Sequence, residues 1–237
     1  MLSILVPVYN YDCTELVNEL AHSCVLAKVN FEIIIGNDCS NDPEVLKALE
    51  RLNRHDFCNV VNKEKNIGRA FILNEMSQYA RYPFLLIIDS DARLAEDDFI
   101  EKYIQVAVAH DVVCGGIEVR PQDRTSDNLL RYRYEHGAAK SRALDYRKKH
   151  PYERFSTFNL LIRKRVFDSI KFDQCCYQYG YEDTVLGLDL MRRKIDVLHI
   201  NNPLIHTGID SNRSFLSKTR QSLEVLVGLD LFYQEHI

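Results

Sequence analysis

The chain has 237 residues, 46% of them hydrophobic, a size at which one domain buries a full core. Its 34 acidic and 30 basic residues are spread along the sequence and leave a formal net charge of -4, so no basic field exists to hold nucleic acid through its phosphates. Seven cysteines, an odd number with no CxxC pair, predict reduced thiols. A first strand starting at Leu2 leaves no room before it for a leader, and no apolar run approaches the roughly 20 residues that span a bilayer. A cytoplasmic protein without a membrane span is expected.

Short apolar runs at 2–8, 31–35, 60–61, 84–88 and 112–117 alternate with segments of helical periodicity at 15–27, 43–53, 69–79 and 97–110. This alternation predicts an α/β fold with a mostly parallel central sheet and helices on both faces. Ligands of such sheets sit beyond the carboxyl ends of the strands, here just after Val8, Ile35, Val61 and Ile88. From Arg120 to Arg154 the chain turns polar and charge-dense, with Tyr132, Tyr134, Tyr146 and Tyr152 among many Arg and Lys. A charge run of this kind is usually a solvated face, and a helical insertion over one mouth of the sheet is expected. An apolar run at 158–162, a helix at 183–193 and a strand at 195–200 follow. Phe215, Leu223, Leu226, Val227 and Leu231 then predict an amphipathic helix over 214–233. One domain results, with 1–118 as its first half, 119–210 as its second and 211–237 as a closing helix.

The polar clusters at the strand ends carry the chemistry. Val6-Pro7-Val8-Tyr9-Asn10 ends the first strand with a proline that donates no ladder hydrogen bond, which leaves Tyr9 and Asn10 at the sheet edge. Asn37-Asp38-Cys39-Ser40-Asn41-Asp42 follows the second strand; Asp42 before Pro43 suits helix capping, and Asp38 is left free to accept from a pyrimidine base or a ribose. Asn66-Ile67-Gly68-Arg69 opens a helix with a glycine and a cation, which suits an anionic ligand. Asp89-Ser90-Asp91 leaves a buried run with two carboxylates at i and i+2 on one side of extended chain, where they can share Mn2+ or Mg2+. Tyr179-Gly180-Tyr181-Glu182-Asp183 starts a helix with two acids. The helix dipole favours acids there in any case, and one of them at a pocket mouth could take a proton from a hydroxyl. His206, after a short apolar run, is a candidate to complete the metal's shell.

In order and spacing these clusters resemble glycosyltransferase family 2, whose nucleotide-binding fold is called GT-A. The resemblance runs from Ser3 to about Gly208: "SILVPVYN", "EIIIGNDCSND", "NIGRAFILN", "LLIIDSDA", "YGYEDTVLGLDLMRR" and "IHTG". It implies an inverting hexosyl transfer from a nucleoside diphosphate sugar, with a UDP-sugar as the expected donor and a glycan or lipid-linked acceptor, as in polysaccharide biosynthesis. By the family pattern Pro7, Val8, Tyr9 and Asn10 cradle the base, Asp38 holds uracil, and Asn66 and Arg69 lie near the nucleotide or its diphosphate. Asp89 faces the ribose or reaches the metal through water, Ser90 beside it belongs to the nucleotide site, Asp91 binds the metal directly, and His206 sits where related enzymes place a metal-binding histidine. Asp183 becomes the base, with Glu182, Tyr181 and Asn159 on the acceptor side. Asn37, Cys39 and Asp189 depart from the pattern, Cys39 standing where glycine is usual.

The 120–154 stretch is expected to shape the acceptor pocket, its Tyr and Arg residues suiting a glycan, a lipid-linked diphosphate or peripheral contact with the inner face of a membrane. The early end of the chain argues against a processive synthase with its own channel. A sugar nucleotidyltransferase would carry a glycine-rich, basic loop where Tyr9-Asn10-Tyr11-Asp12 stands. A non-catalytic binding module would be expected to lack the base or the metal ligands.

Overall fold

The structure, a computed structural model, describes residues 1–120, 124–173 and 180–236, with 230–236 described by helical backbone alone. Cys175, Cys176, Tyr179 and the side chain of Leu231 therefore lie outside the described residues. Seven strands form one sheet in the order β3 (Cys58–Asn62), β2 (Phe31–Asn37), β1 (Leu2–Val8), β4 (Phe84–Ile88), β8 (Asn159–Arg163), β6 (Val112–Cys114) and β9 (Leu198–His199). Strand β1 pairs in parallel with both β2 and β4, and β8 runs antiparallel between β4 and β6. The sheet is mostly parallel, as the alternation of runs predicts.

Every residue of β1 is buried because the sheet is covered on both faces. Its alternate side chains divide between two cores. Ile4, Val6 and Val8 pack with α1 (Thr14–Leu26), α2 (Pro43–Leu52) and α4 (Phe99–Ala107), whereas Leu5 packs with α3 (Arg69–Tyr79). Strands β2 and β3 lie on one side of β1 and β4 on the other, so the crevice of the sheet opens above the ends of β1 and β4. Asp42 caps α2 as expected, accepting from the N–H of Glu44 at 2.9 Å with Pro43 in the first turn.

The run 112–117 is two strands rather than one. Residues 112–114 stay in the large sheet, and β7 (Ile117–Glu118) joins β10 (Leu204–His206) and β5 (Ala92–Leu94) in a second, three-stranded sheet. Gly115 and Gly116 make the step between sheets. A Cβ at Gly115 would meet Asn159 Nδ2 and Tyr103 Oη at 2.4 Å, and Gly116 has φ +109°, a conformation open to glycine. The small sheet matters because β5 follows Asp91 directly and β10 ends on His206.

The charge-dense stretch folds as α5 (Leu129–Gly137), α6 (Ala139–Arg142) and α7 (Leu144–Lys149). It is not a purely solvated face. Glu135 is 2% exposed and ion-paired to both Arg131 and Arg142. Arg147, also buried, donates to the carbonyls of Cys114, Gly115, Ile200 and Arg142 and to Nδ1 of His199. Helices α8 (Lys164–Ile170), α9 (Glu182–Arg192) and α10 (Asn212–His236) complete the chain. No described helix is long and apolar enough to cross a membrane.

Candidate active site

Two cavities meet above the carboxyl ends of β1, β2 and β4. The larger, about 880 Å³, is walled by Pro7, Val8, Tyr9, Asp38, Asn66 and the Asp89-Ser90-Asp91 segment. Asn10 is not on this wall; with φ 50°, its side-chain oxygen accepts from the N–H groups of Asn41 and Asp42 and fixes the loop before α2. Asp38 is not free either. Its two carboxylate oxygens accept from the N–H of Ile67 and of Gly68, each at 2.8 Å, and so hold the turn that delivers Arg69. One lone pair on each oxygen is still directed elsewhere, and Asp38 faces the cavity from a buried position. Cys39, in the usual glycine's place, has φ 65°, which is why glycine is the residue otherwise suited there.

Arg69 does not point at an open anion site. It donates through Nε and Nη2 to Oδ1 of Asp89 at 2.8 and 2.6 Å and through Nη1 to Thr157 Oγ1 at 2.8 Å, and it lies 3.8 Å from Oδ1 of Asp183. Burial by itself would loosen the guanidinium's proton, but Asp89, Asp183 and Glu182 around it hold its pKa well above the ordinary value. Asp89 is pushed above the usual carboxylate range, chiefly by burial, with Arg69 opposing and Asp91 and Asp183 adding. Arg69 thereby ties the end of β4 to the start of α9, two segments far apart in sequence.

The smaller cavity, about 450 Å³, contains Asp183 and is walled on its far side by α5 to α7. Asp183 is held by residues that the motifs do not contain. Ser156 Oγ donates to its Oδ2 at 2.9 Å, the Thr157 N–H to Oδ2 at 3.1 Å, and the Thr157 hydroxyl to Oδ1. Three donors fix the carboxylate's plane. Glu182, beside it, has its pKa raised by burial and then by the charge of Asp183, and accepts from the N–H of Gly180. Tyr181, at φ 64°, borders an adjoining groove under α10 that also reaches Glu182 and Asp183. Asn159 touches the cavity wall, but its amide is occupied by buried partners: Nδ2 donates to the carbonyls of Gly116 and Asn202, and Oδ1 accepts from Tyr103. These bonds join β8 to the step between the two sheets.

Asp91 and His206 stand side by side, Oδ2 to Nε2, at 3.1 Å. The pairing follows from the small sheet, whose register sets His206 opposite Ala92, and from Thr207, whose N–H and hydroxyl each donate to the Asp91 carbonyl at 2.8 Å. Two lone-pair donors this close require something positive between them, a proton or a cation. His206 Nδ1 is buried with no protein partner, so its Nε2 is the atom that faces the site. Gly208 completes the cradle: a Cβ there would lie 2.1 Å from Asp91 Oδ2. Among the described residues no three His, Cys, Asp or Glu side chains form a ligand cluster. The pair fits a hard divalent cation whose remaining ligands come from outside the protein, such as diphosphate oxygens or water.

Sequence comparison adds a family-model match, described as Glycosyl transferase family 2, across residues 3–171. An uncharacterized protein, y4gI, of Sinorhizobium fredii is 32% identical over 111 residues, which make up 46% of this chain and 12% of that protein's length. Among solved structures, the fold is similar to Staphylococcus aureus TarS residues 1–349 in complex with UDP-GlcNAc, with TM-score 0.59, 18% identity, and coverage of 89% of this chain and 57% of that one. It is likewise similar to the mannosyltransferase PcManGT from Pyrobaculum calidifontis, in complex with GDP-Man and Mn2+, with TM-score 0.60, 15% identity, and coverage of 88% and 58%. The chain thus spans less than two thirds of each of these proteins. At such identities the likeness is one of fold, and that fold is GT-A.

Proposed function

Because the chain belongs to glycosyl transferase family 2, we propose that it moves a hexose from a nucleoside diphosphate, with UDP as the expected carrier, to a hydroxyl of a glycan or lipid-linked acceptor, inverting the anomeric carbon. The observation that carries this reading is Asp183: one carboxylate, oriented by Ser156 and Thr157, on the acceptor cavity and across Arg69 from Asp89 of the donor cavity. The donor's base lies along Tyr9 and Asp38, and its diphosphate reaches toward Asp91. Asp91 and His206 would hold a Mn2+ or Mg2+ ion, which would supply charge stabilisation to the departing diphosphate. Asp183 takes the proton of the acceptor hydroxyl as that oxygen forms its bond to the anomeric carbon and the bond to the diphosphate breaks. Arg69 fixes the spacing between Asp89 and this base. With one displacement and no covalent intermediate, configuration inverts.

Asp183→Asn tests the assignment, since it preserves shape but removes the basic charge. Transfer should fall by roughly 10²- to 10⁴-fold, the usual worth of a positioned proton acceptor. Donor affinity by calorimetry should persist. Near-normal turnover would remove Asp183 from its role.

A further inference from the structure

A donor diphosphate is anionic and is met best by cations that reach its oxygens. Of the cations on the walls of the donor cavity, Arg69 is already joined to Asp89 and Thr157. The other is Lys218, on the second turn of α10. Lys218 borders the acceptor cavity as well, together with Asp91, Gly208 and Asp210, but neither Tyr9 nor Asp38 does. It therefore stands where the two cavities join, away from the base-binding end.

Resting on the proposed donor reading, we propose that Lys218 binds the distal phosphate of the nucleoside diphosphate, making α10 a working part of the donor site rather than a closing helix. The lysine is held ready by Asp210, whose carboxylate accepts from Nζ at 2.8 and 3.0 Å, with Ser214 donating to the same carboxylate at 2.8 Å. Burial would raise Asp210, but these contacts keep its pKa below the ordinary value, so it stays an anion. Asp210 in turn follows His206-Thr207-Gly208-Ile209 directly, so one short segment carries a metal-site histidine, the Asp91 cradle and the anchor of Lys218. An ammonium on a flexible stem can turn toward phosphate oxygens that enter beside it. Helix α10 lies wholly beyond the stretch that the family model matches.

Calorimetry with UDP and UMP, each in Mn2+, tests this on the full chain. In Lys218→Ala the ratio of UDP to UMP affinity should collapse by roughly 10- to 100-fold, the worth of a charge-assisted contact to the distal phosphate, while UMP affinity holds; Lys218→Arg should restore most of the ratio. Since Lys218→Ala leaves the half-buried Asp210 with Ser214 but without its ammonium partner, the double variant Asp210→Asn/Lys218→Met is measured beside it, and the same collapse is expected. An unchanged ratio, or equal loss of UDP and UMP, overturns the proposal and leaves the donor reading standing. If the wild-type chain binds neither UDP nor GDP, the donor reading itself fails and takes this one with it.

Discussion

Gly208→Ala makes the sharpest test of the metal cradle because the added methyl collides with one residue. Its carbon would lie 2.1 Å from Asp91 Oδ2 and 2.7 Å from both Cβ and Cγ of Asp91. Ordinary contact begins near 3.5 Å, so the carboxylate oxygen must withdraw by about 1.4 Å and the carbons behind it by about 0.8 Å. The backbone of Asp91 cannot follow, since Thr207 grips its carbonyl twice. A displacement of this size removes the carboxylate from a cation's reach, because metal–ligand distances hold to within about 0.2 Å. Titrating Mn2+ into protein with UDP should therefore show Gly208→Ala losing about as much metal-dependent affinity as Asp91→Ala. The double variant should lose no more than either alone, because both act through one carboxylate. A Gly208→Ala protein that binds UDP and Mn2+ like wild type, or two losses that add, would refute the reasoning.

His206→Ala should weaken Mn2+-dependent UDP binding less than Asp91→Ala, since a carboxylate and the diphosphate remain; unchanged metal dependence with lower thermal stability would mark a core histidine instead. UDP should bind more tightly than GDP, with Asp38 receiving the uracil N3–H, and calorimetry that favours GDP would remove Asp38 from that role. His199 should make folding sensitive to acid. Burial lowers its pKa, its Nε2–H donates to the Pro151 carbonyl and its Nδ1 accepts from Arg147, so the neutral ring is the native form. The stability this brings is complete above the ordinary histidine value of about 6.5 and is lost as pH falls through it. Urea midpoints between pH 7 and 5 should drop less in His199→Gln, and an equal drop would count against the assignment.

What the sequence discloses here is what local patterning encodes. Strand β4 reads as an unbroken apolar run, and β1 as one interrupted only by Ser3, because both their faces are buried. Helix α3 keeps its predicted limits, Arg69 to Tyr79, because glycine opens it. The DxD pair, Asp183 and His206 fall at the ends of such elements, and their positions above the sheet follow from topology. Even the separation of Asp89 from Asp183 in sequence is no obstacle, since each lies at the end of a recognisable element.

The supporting shell is illegible for the opposite reason. Ser156 and Thr157 carry no pattern, and they matter because Asp183, 27 and 26 residues on, turns its carboxylate to them. Gly208 is one glycine in a polar stretch until Asp91 is known to stand against it. Arg147 and Glu135 look solvated by composition, yet each is buried among partners that come from other parts of the chain or from another helix turn. Asp38 shows the consequence for function. Read alone it is a free acceptor; held by two N–H groups of the next loop, it becomes a rigid one, and rigidity is what the proposed contact with a base would need.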